Sequence, residues 1–475
     1  MFNPFGSVRS LLSSVALFGL PLFVSATSTP CHVNGRKYDV DQIITKDISI
    51  IGGGSSGTYA AIQLRDDSKS IAVIEQTDRL GGHTQTYIDP ATKFPIDYGV
   101  QVFHHFDVVT NYFARLNVSL TTTSGSVPGV TDEFADFLTG QLVTPSLGNF
   151  TAALGLYAEQ AAQYPYLDYG FDLPDPVPED LLLPFLDFGQ KYNLGALMPF
   201  AWTFTEGVGD FRTIPTIYIL KYLGLDSISD LQTGFLTTAL HDNSLLYLSA
   251  QAVLGSDVLY NSTVLDVERS DAHGVSIVVK QGTKLTLIKS SQLIVAIQPT
   301  LSDLDPFDLA DSESDLFGKF KWTQYFTSIL RNTGIPANTS LTAVDPTLKF
   351  SVPEPPSLYT IEQTGIPDLL LAYYIATDLN TTDVEIESTI LSQVKNIQVP
   401  GKGASNPQFA VTSNHKPFML QVSADDIRGG FYKKLYGLQG KRSTWWVGAT
   451  WHTHDSSLIW RFVEELLPNI TAALK

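Results

Sequence analysis

Cysteine is nearly missing from this chain: Cys31 is the only one in 475 residues. A single thiol cannot close an intramolecular disulfide, so the fold has to rest on its core. It also excludes zinc or iron–sulfur centres assembled from several thiolates. Charge is scarce at 16% of residues and unbalanced, with 30 Lys and Arg against 48 Asp and Glu, a net −18. An acidic surface of that size argues against nucleic acid and anionic membranes as partners. Beyond residue 26 no apolar run is long enough to span a bilayer. There is no internal repeat, no low-complexity segment and no P-loop lysine.

What is present is a long, globular chain, 44% hydrophobic, with room for two or three domains. Residues 1–26 have the pattern of a signal peptide: Arg9 is the only charge, Leu11 to Val24 is apolar, and Val24-Ser25-Ala26 offers small residues for cleavage. N-x-S/T sequons occur at Asn117, Asn149, Asn261, Asn338, Asn380 and Asn469, with Asn261 expected to be silent beside a core strand. Together these predict entry to the secretory pathway, a secreted or vesicular destination and N-glycosylation.

The stretch Ile51 to Ala61 reads IGGGSSGTYAA and contains G-x-G-x-x-G as Gly52, Gly54 and Gly57. It follows a β-rich run at 46–51, precedes helical spacing over 56–65, and a buried-type strand SIAVIE follows at 70–75. In a β–turn–α–β unit each glycine has a task. Gly52 permits the tight turn, Gly54 lets the backbone approach a pyrophosphate, and Gly57 lets the helix pack close to the sheet. Ser56 opens the helix whose N-terminus faces the phosphate charge. Glu75, at the end of the second strand, is placed to accept ribose hydroxyls and to repel a 2′-phosphate.

Downstream, 106–245 is rich in Phe, Tyr, Leu and Pro, with helical stretches at 151–163 and 217–223 and Pro-rich loops at 173–180. A β pattern returns at 257–300, with a hairpin at Gly282. A mixed segment covers 301–443, including LLLAYYIAT at 369–377. The chain closes on strand-like TWWVGA and helix-like SSLIWRFVEELL.

Asp78 to Tyr87 reads DRLGGHTQTY, directly after the acidic strand end. Here the sequence resembles the flavin-dependent amine oxidase superfamily, whose members carry R-x-G-G-R-x-x-T at this place. Arg79, Gly81, Gly82 and Thr86 match, and His83 replaces the second arginine. The resemblance implies FAD, with Arg79, Gly81, Gly82, His83 and Thr84 along its pyrophosphate and ribityl chain. The stretch FPIDYGVQVFHH at 94–105 resembles the superfamily element that passes the flavin ring. Gln101, Phe103, His104 and His105 are thereby candidate site residues, with simple strand packing as the alternative. His104 is the first choice for a proton-accepting group. VLYNSTVLDVERS places Val264 where the superfamily contacts adenine. In WWVGATWHTHDSSLIW, Gly448, Ser456 and Ser457 match the glycine and helix N-terminus that point at the flavin. Trp445, Trp446, Trp451 and His454 are candidates for the pocket wall, Trp451 for a catalytic role. No metal is expected: His452, His454 and Asp455 lack further ligands.

The resemblance covers most of the chain after residue 45, and within the superfamily the wording is closest to the fungal beta-cyclopiazonate dehydrogenase family. It implies an α/β fold, a Rossmann-type FAD-binding domain with an inserted mixed α+β substrate domain. The FAD domain is discontinuous (45–105, 246–300 and 444–475), and the substrate domain takes 106–245 and 301–443. It also implies two-electron oxidation of a small-molecule secondary metabolite, with or without ring closure. The competing reading is an amine or L-amino-acid oxidase, which would need an arginine such as Arg212, Arg331, Arg428 or Arg442 for a substrate carboxylate. The lysine that monoamine oxidases carry after A-I-P-P-T falls on Leu304, with Lys319 and Lys321 as spatial substitutes. A histidyl flavin link through His83, His104 or His105 stays open.

Overall fold

The computed structural model describes residues 28–125, 127–146 and 148–474, so the expected signal segment lies outside the described residues. Two seven-stranded sheets organise the chain. In the first, the order is Val258–Leu259, Ile71–Ile74, Gln42–Ile51, Lys284–Val295, Gly274–Gln281, Ser262–Ser270, and Thr444–Trp446 also pairs with Lys284–Val295. The first four strands run parallel, and Thr444–Trp446 joins the same direction. The others form an antiparallel meander, with Gly282 at φ +59° in the hairpin turn as its position requires. Ile71 to Ile74 are all buried, which is why that strand reads as a continuous apolar run and not an alternation.

Helix Ser55–Asp66 packs on this sheet beside the C-terminal helix Ser456–Ala472. The latter outruns the expected stop before Pro468. Leu467 and Ile470 are buried on its inner face, and this packing outweighs the missing N–H. Among the described residues no helix is long and apolar enough to cross a membrane.

The second sheet runs Gln408–Gln421, Lys321–Arg331, Leu370–Ala376, Ser357–Gln363, Thr339–Ala343, Thr131–Asp136, Gln141–Leu142. Thr131–Asp136 lies far earlier in sequence than its parallel partner Thr339–Ala343, so two distant segments close one sheet. Short helices between 150 and 233 fill the adjoining space. Their aromatic richness is core packing: Phe185 meets Phe211 edge-on at 4.9 Å, and Trp202 lies 4.6 Å from Tyr359 of the sheet. All six sequon asparagines are exposed, including Asn261, which sits in a turn before its strand and not within the core.

Candidate active site

The glycine loop is built as its spacing requires. Gly52 has φ +101°, and a Cβ there would come within 3.0 Å of Ala296 O. A Cβ on Gly57 would fall 1.9 Å from Gly52 O, so helix and turn can touch only without a side chain. Gly54 differs: its nearest neighbour is Gly82 Cα at 3.9 Å, leaving a slot between two glycine loops. Gly81 (φ +107°) and Gly82 (φ +52°) form the facing loop. Glu75 is buried; its Oε2 accepts the Gly53 N–H at 2.7 Å and its Oε1 accepts Thr77 N–H and hydroxyl, each at 2.8 Å. The strand carrying Val264 is tied to it, since Ser262 N–H donates to Glu75 O at 2.9 Å.

Arg79 turns inward on its own loop, donating to Leu80 O, Gly82 O and Thr84 O at 3.2, 2.8 and 2.9 Å. It therefore shapes the loop. The helix start at Ser456 closes the third side: Ser55 donates to Ser456 Oγ at 3.0 Å, and a Cβ on Gly448 would lie 3.5 Å from Ser56 Oγ. The Tyr247 hydroxyl lies among Ser55, Thr84 and Ser456, and neither it nor Thr84 Oγ1 has a partner in hydrogen-bonding geometry. Buried polar groups left so, around a glycine-lined slot facing two helix N-termini, fit a dinucleotide pyrophosphate. The sequence is expected to hold no G-x-S-x-G nucleophile elbow, yet Gly53 to Gly57 have that spacing. Ser55 Oγ instead donates to Ser456 and accepts from Trp460 Nε1, with no histidine upon it.

His83 stacks face to face on His415 at 4.3 Å and lies 6.1 Å from His454, which in turn stacks on Phe418 at 3.8 Å. Burial, with the Arg79 charge nearby, pulls the His83 pKa down to about 4, and burial depresses His415 and His454 as well. His83 thus brings a neutral ring where the superfamily has a cation.

Several candidates from the 94–105 and 445–460 stretches are placed differently from expectation. His104 is not free to accept a proton. Its Nδ1 meets Asp230 at 2.6 Å and its Nε2 lies 3.4 Å from Asp455. Burial alone would lower its pKa, but the Asp455 charge and the hydrogen bonds to both carboxylates hold it at about 10. Phe103 is fully buried, stacked on Trp460 at 5.5 Å, so there the strand-packing alternative holds. His105 is exposed, its ring toward Gly234 O. Trp451 is fully buried against Tyr436 and Trp446, a core position without a face on the cavity, and Trp445 and Trp446 are core as well. His452 faces Lys221 and Asp168 O while His454 accepts from Met419 N–H, so the two diverge. Among the described residues no cluster suited to a metal forms.

Gln101 does reach the centre. Its amide donates to Tyr373 OH, and Tyr373 stacks on Tyr325 at 6.1 Å. Tyr325 in turn donates to Glu206. Glu206, Tyr222, Tyr325 and Glu362 lie deep in the chain yet keep accessible surface, so they face internal space. The sequence reading missed them because each belongs to the aromatic or mixed segments, where no motif marks it.

The cations proposed for a substrate carboxylate are elsewhere. Arg212 binds Asp210 and the Val352 and Pro353 carbonyls, Arg428 binds Glu179 and Asp425, and Arg442 binds Asp308 and Glu313. Arg331 is exposed at a strand end. Leu304 is fully buried in the core, Lys319 pairs with Asp426, and Lys321 is exposed.

Fold and site together define an FAD-dependent oxidoreductase. Residues 50–116 match the NAD(P)-binding Rossmann-like domain. The chain is 39% identical to the FAD-dependent oxidoreductase oblC of Cochliobolus heterostrophus over 98% of this chain and 100% of that one. It is 35% identical to beta-cyclopiazonate dehydrogenase of Aspergillus oryzae over 92% and 95%. The chain belongs to this family of FAD-dependent oxidoreductases. Its fold is shared with a fatty acid isomerase from P. acnes (TM-score 0.73, 20% identity, 89% and 98% covered) and with a putrescine oxidase (TM-score 0.64, 14% identity, 90% and 100%).

Proposed function

We propose that this protein removes two electrons from a fungal-type secondary metabolite, by dehydrogenation with or without ring closure, in the lumen of the secretory pathway. The observation that carries the reading is the near full-length relation to FAD-dependent oxidoreductases and a beta-cyclopiazonate dehydrogenase. Bound FAD supplies a two-electron acceptor. This chain's residues supply the rest. Glycine loops and Glu75 hold the dinucleotide, the His104 clamp fixes the helix start, and Gln101, Tyr373 and Tyr325 present a polar wall. Arg212, Arg428 and Arg442 are engaged elsewhere, and among the described residues no arginine pairs with the carboxyls of that wall, which speaks against an L-amino-acid oxidase. The luminal location and glycosylation are supported by the N-terminal pattern and by the exposure of all six sequon asparagines. A mobility shift on enzymatic deglycosylation of the secreted chain tests that part. For the reaction, the holoprotein is mixed anaerobically with a culture extract containing the pathway's intermediates. Bleaching of the flavin absorbance is expected, and an unbleached spectrum with every extract fraction overturns the reading.

A further inference from the structure

The oxidation leaves a proton to be placed. When a C–H bond next to an O–H or N–H gives up its electron pair, the adjacent X–H must lose its proton for a neutral C=X product to form. His104, already protonated between two aspartates, cannot take it. His83, His415 and His454 face one another, and His454 Nε2 is occupied by the Met419 N–H. Two carboxyls face the internal space, Glu206 and Glu362, and Glu206 is the one that a phenol meets: the Tyr325 hydroxyl donates to its Oε2.

The surroundings of Glu206 are acidic and phenolic throughout. Glu362 from strand Ser357–Gln363 acts on it as a like charge. Tyr222 and Tyr359 feel its charge from helix and sheet, as does Tyr373, which also feels Asp97 and Glu362. Among the described residues no lysine or arginine pairs with either carboxyl. A buried carboxyl pair without a cation is costly when ionised, and such groups are retained where they do chemistry. A ligand carboxylate would be a further anion in the same cation-free space.

Resting on the oxidoreductase reading above, we infer that Tyr325 and Glu206 form the proton-accepting wall of the substrate cavity, which takes neutral ligands bearing a hydroxyl or N–H donor and turns carboxylates away. The substrate X–H donates to Tyr325 Oη, whose own proton already points at Glu206. As the C–H electron pair and its hydrogen leave to oxidised FAD, the X–H bond breaks and C=X forms. The proton passes to Tyr325, and the Tyr325 proton passes to the Glu206 carboxylate. One hydride and one proton leave the substrate, and the carboxylic acid on Glu206 holds the proton until solvent removes it. Glu206 must be ionised to accept. Burial and Glu362 raise its pKa, so the accepting form grows as pH rises above the ordinary carboxylate range.

The test needs no substrate. Holoprotein is dialysed to equilibrium against 4-nitrobenzyl alcohol and against 4-nitrobenzoate, two ligands of one shape whose charges stay fixed from about pH 5 to about pH 9. The alcohol should bind across the range. The carboxylate should bind more weakly as pH rises, approaching about tenfold per pH unit once its entry requires a proton on Glu206. In Glu206→Gln that pH dependence should vanish. Tyr325→Phe, which keeps the carboxyl, should retain the carboxylate's pH dependence and weaken the alcohol several-fold. FAD content reports folding of both variants. Carboxylate binding that is independent of pH in the unaltered protein, a pH dependence that survives Glu206→Gln, or no binding of either probe overturns the inference. Because the readout is binding by the oxidised holoprotein and not turnover, these results stand apart from flavin bleaching by extracts.

Discussion

His104 and Asp230 form a buried ion pair, with Nδ1 2.6 Å from the carboxylate and the histidine 2% exposed. The pair joins helix Leu225–Thr233 to the start of the C-terminal helix. Asp455, on the far side of the ring, is that helix's N-cap and accepts the Leu458 N–H at 2.9 Å, while Ser457 Oγ accepts the His104 N–H at 3.0 Å. The ion pair is therefore also a positional device for the dinucleotide slot.

Its pH signature follows from linkage. The His104 pKa is about 10 when folded and near its ordinary value of 6.5 when unfolded, so the group is raised on folding. Its stabilisation is fully present below about pH 6.5, declines as the unfolded chain alone loses the proton, and is gone above about pH 10. The total is on the order of 5 kcal/mol. His104→Gln should lower the melting temperature most at neutral and acidic pH and flatten its alkaline decline. A variant that melts with the slope of the parent between about pH 7 and 10 contradicts the clamp.

The acid limb has the opposite sign. His83 falls to about 4 in the folded chain from 6.5, so its contribution is present above about pH 6.5 and lost as pH drops toward 4. His415 and His454 move the same way. Acid unfolding monitored by circular dichroism should begin below about pH 6.5. His83→Phe, which keeps a ring on His415, should make that limb shallower.

Two of the three glycines of the G-x-G-x-x-G motif, Gly54 and Gly57, separate folding from FAD binding. Gly57→Ala places a Cβ 1.9 Å from Gly52 O, a backbone clash that should cost several kcal/mol and is visible as a lower melting point without FAD. Gly54→Ala meets nothing within 3.9 Å, so apo stability should change by no more than about 0.5 kcal/mol. FAD affinity should fall steeply, because the methyl enters the slot facing Gly82. Equal melting and equal FAD affinity in Gly54→Ala would place the pyrophosphate elsewhere.

Glu75→Ala should weaken FAD by roughly ten- to hundredfold, since it removes the carboxylate proposed to accept the ribose hydroxyls and frees the Gly53 N–H it now holds. Flavin fluorescence titration measures this, and undiminished affinity rejects the assignment.

The extent to which the site could be read in the sequence follows sequence separation. The glycine motif, the strand before it, the acid after it and the 257–300 β pattern are local signals, and they predict the parallel core of the first sheet. Asp230 lies 126 residues from His104, and Glu206 lies 119 from Tyr325. No periodicity encodes such pairings, so His104 read as a free proton acceptor and Glu206 went unnoticed. Trp451 misled for a related reason: an aromatic beside a flavin motif has the same letter in a core as in a cage, and only burial against Tyr436 and Trp446 tells them apart.

Benzylamine, tyramine and common L-amino acids should not be turned over at appreciable rates. An amino-acid oxidase needs a cation to hold the substrate carboxylate, yet Arg212, Arg428 and Arg442 are engaged by carboxylates or carbonyls and Arg331 is at the surface. Leu304, on which the sequence resemblance places the lysine of monoamine oxidases, is fully buried in the core. Lys319 is tied to Asp426 and Lys321 is exposed, so neither fills its place. Hydride transfer needs only the substrate carbon close to the flavin, so oxidation itself survives this loss. What faces the internal space instead is the polar run from Gln101 through Tyr373 and Tyr325 to Glu206. A coupled peroxide assay with each compound decides the matter, and rapid peroxide release with any one of them would restore the amine or amino-acid oxidase reading.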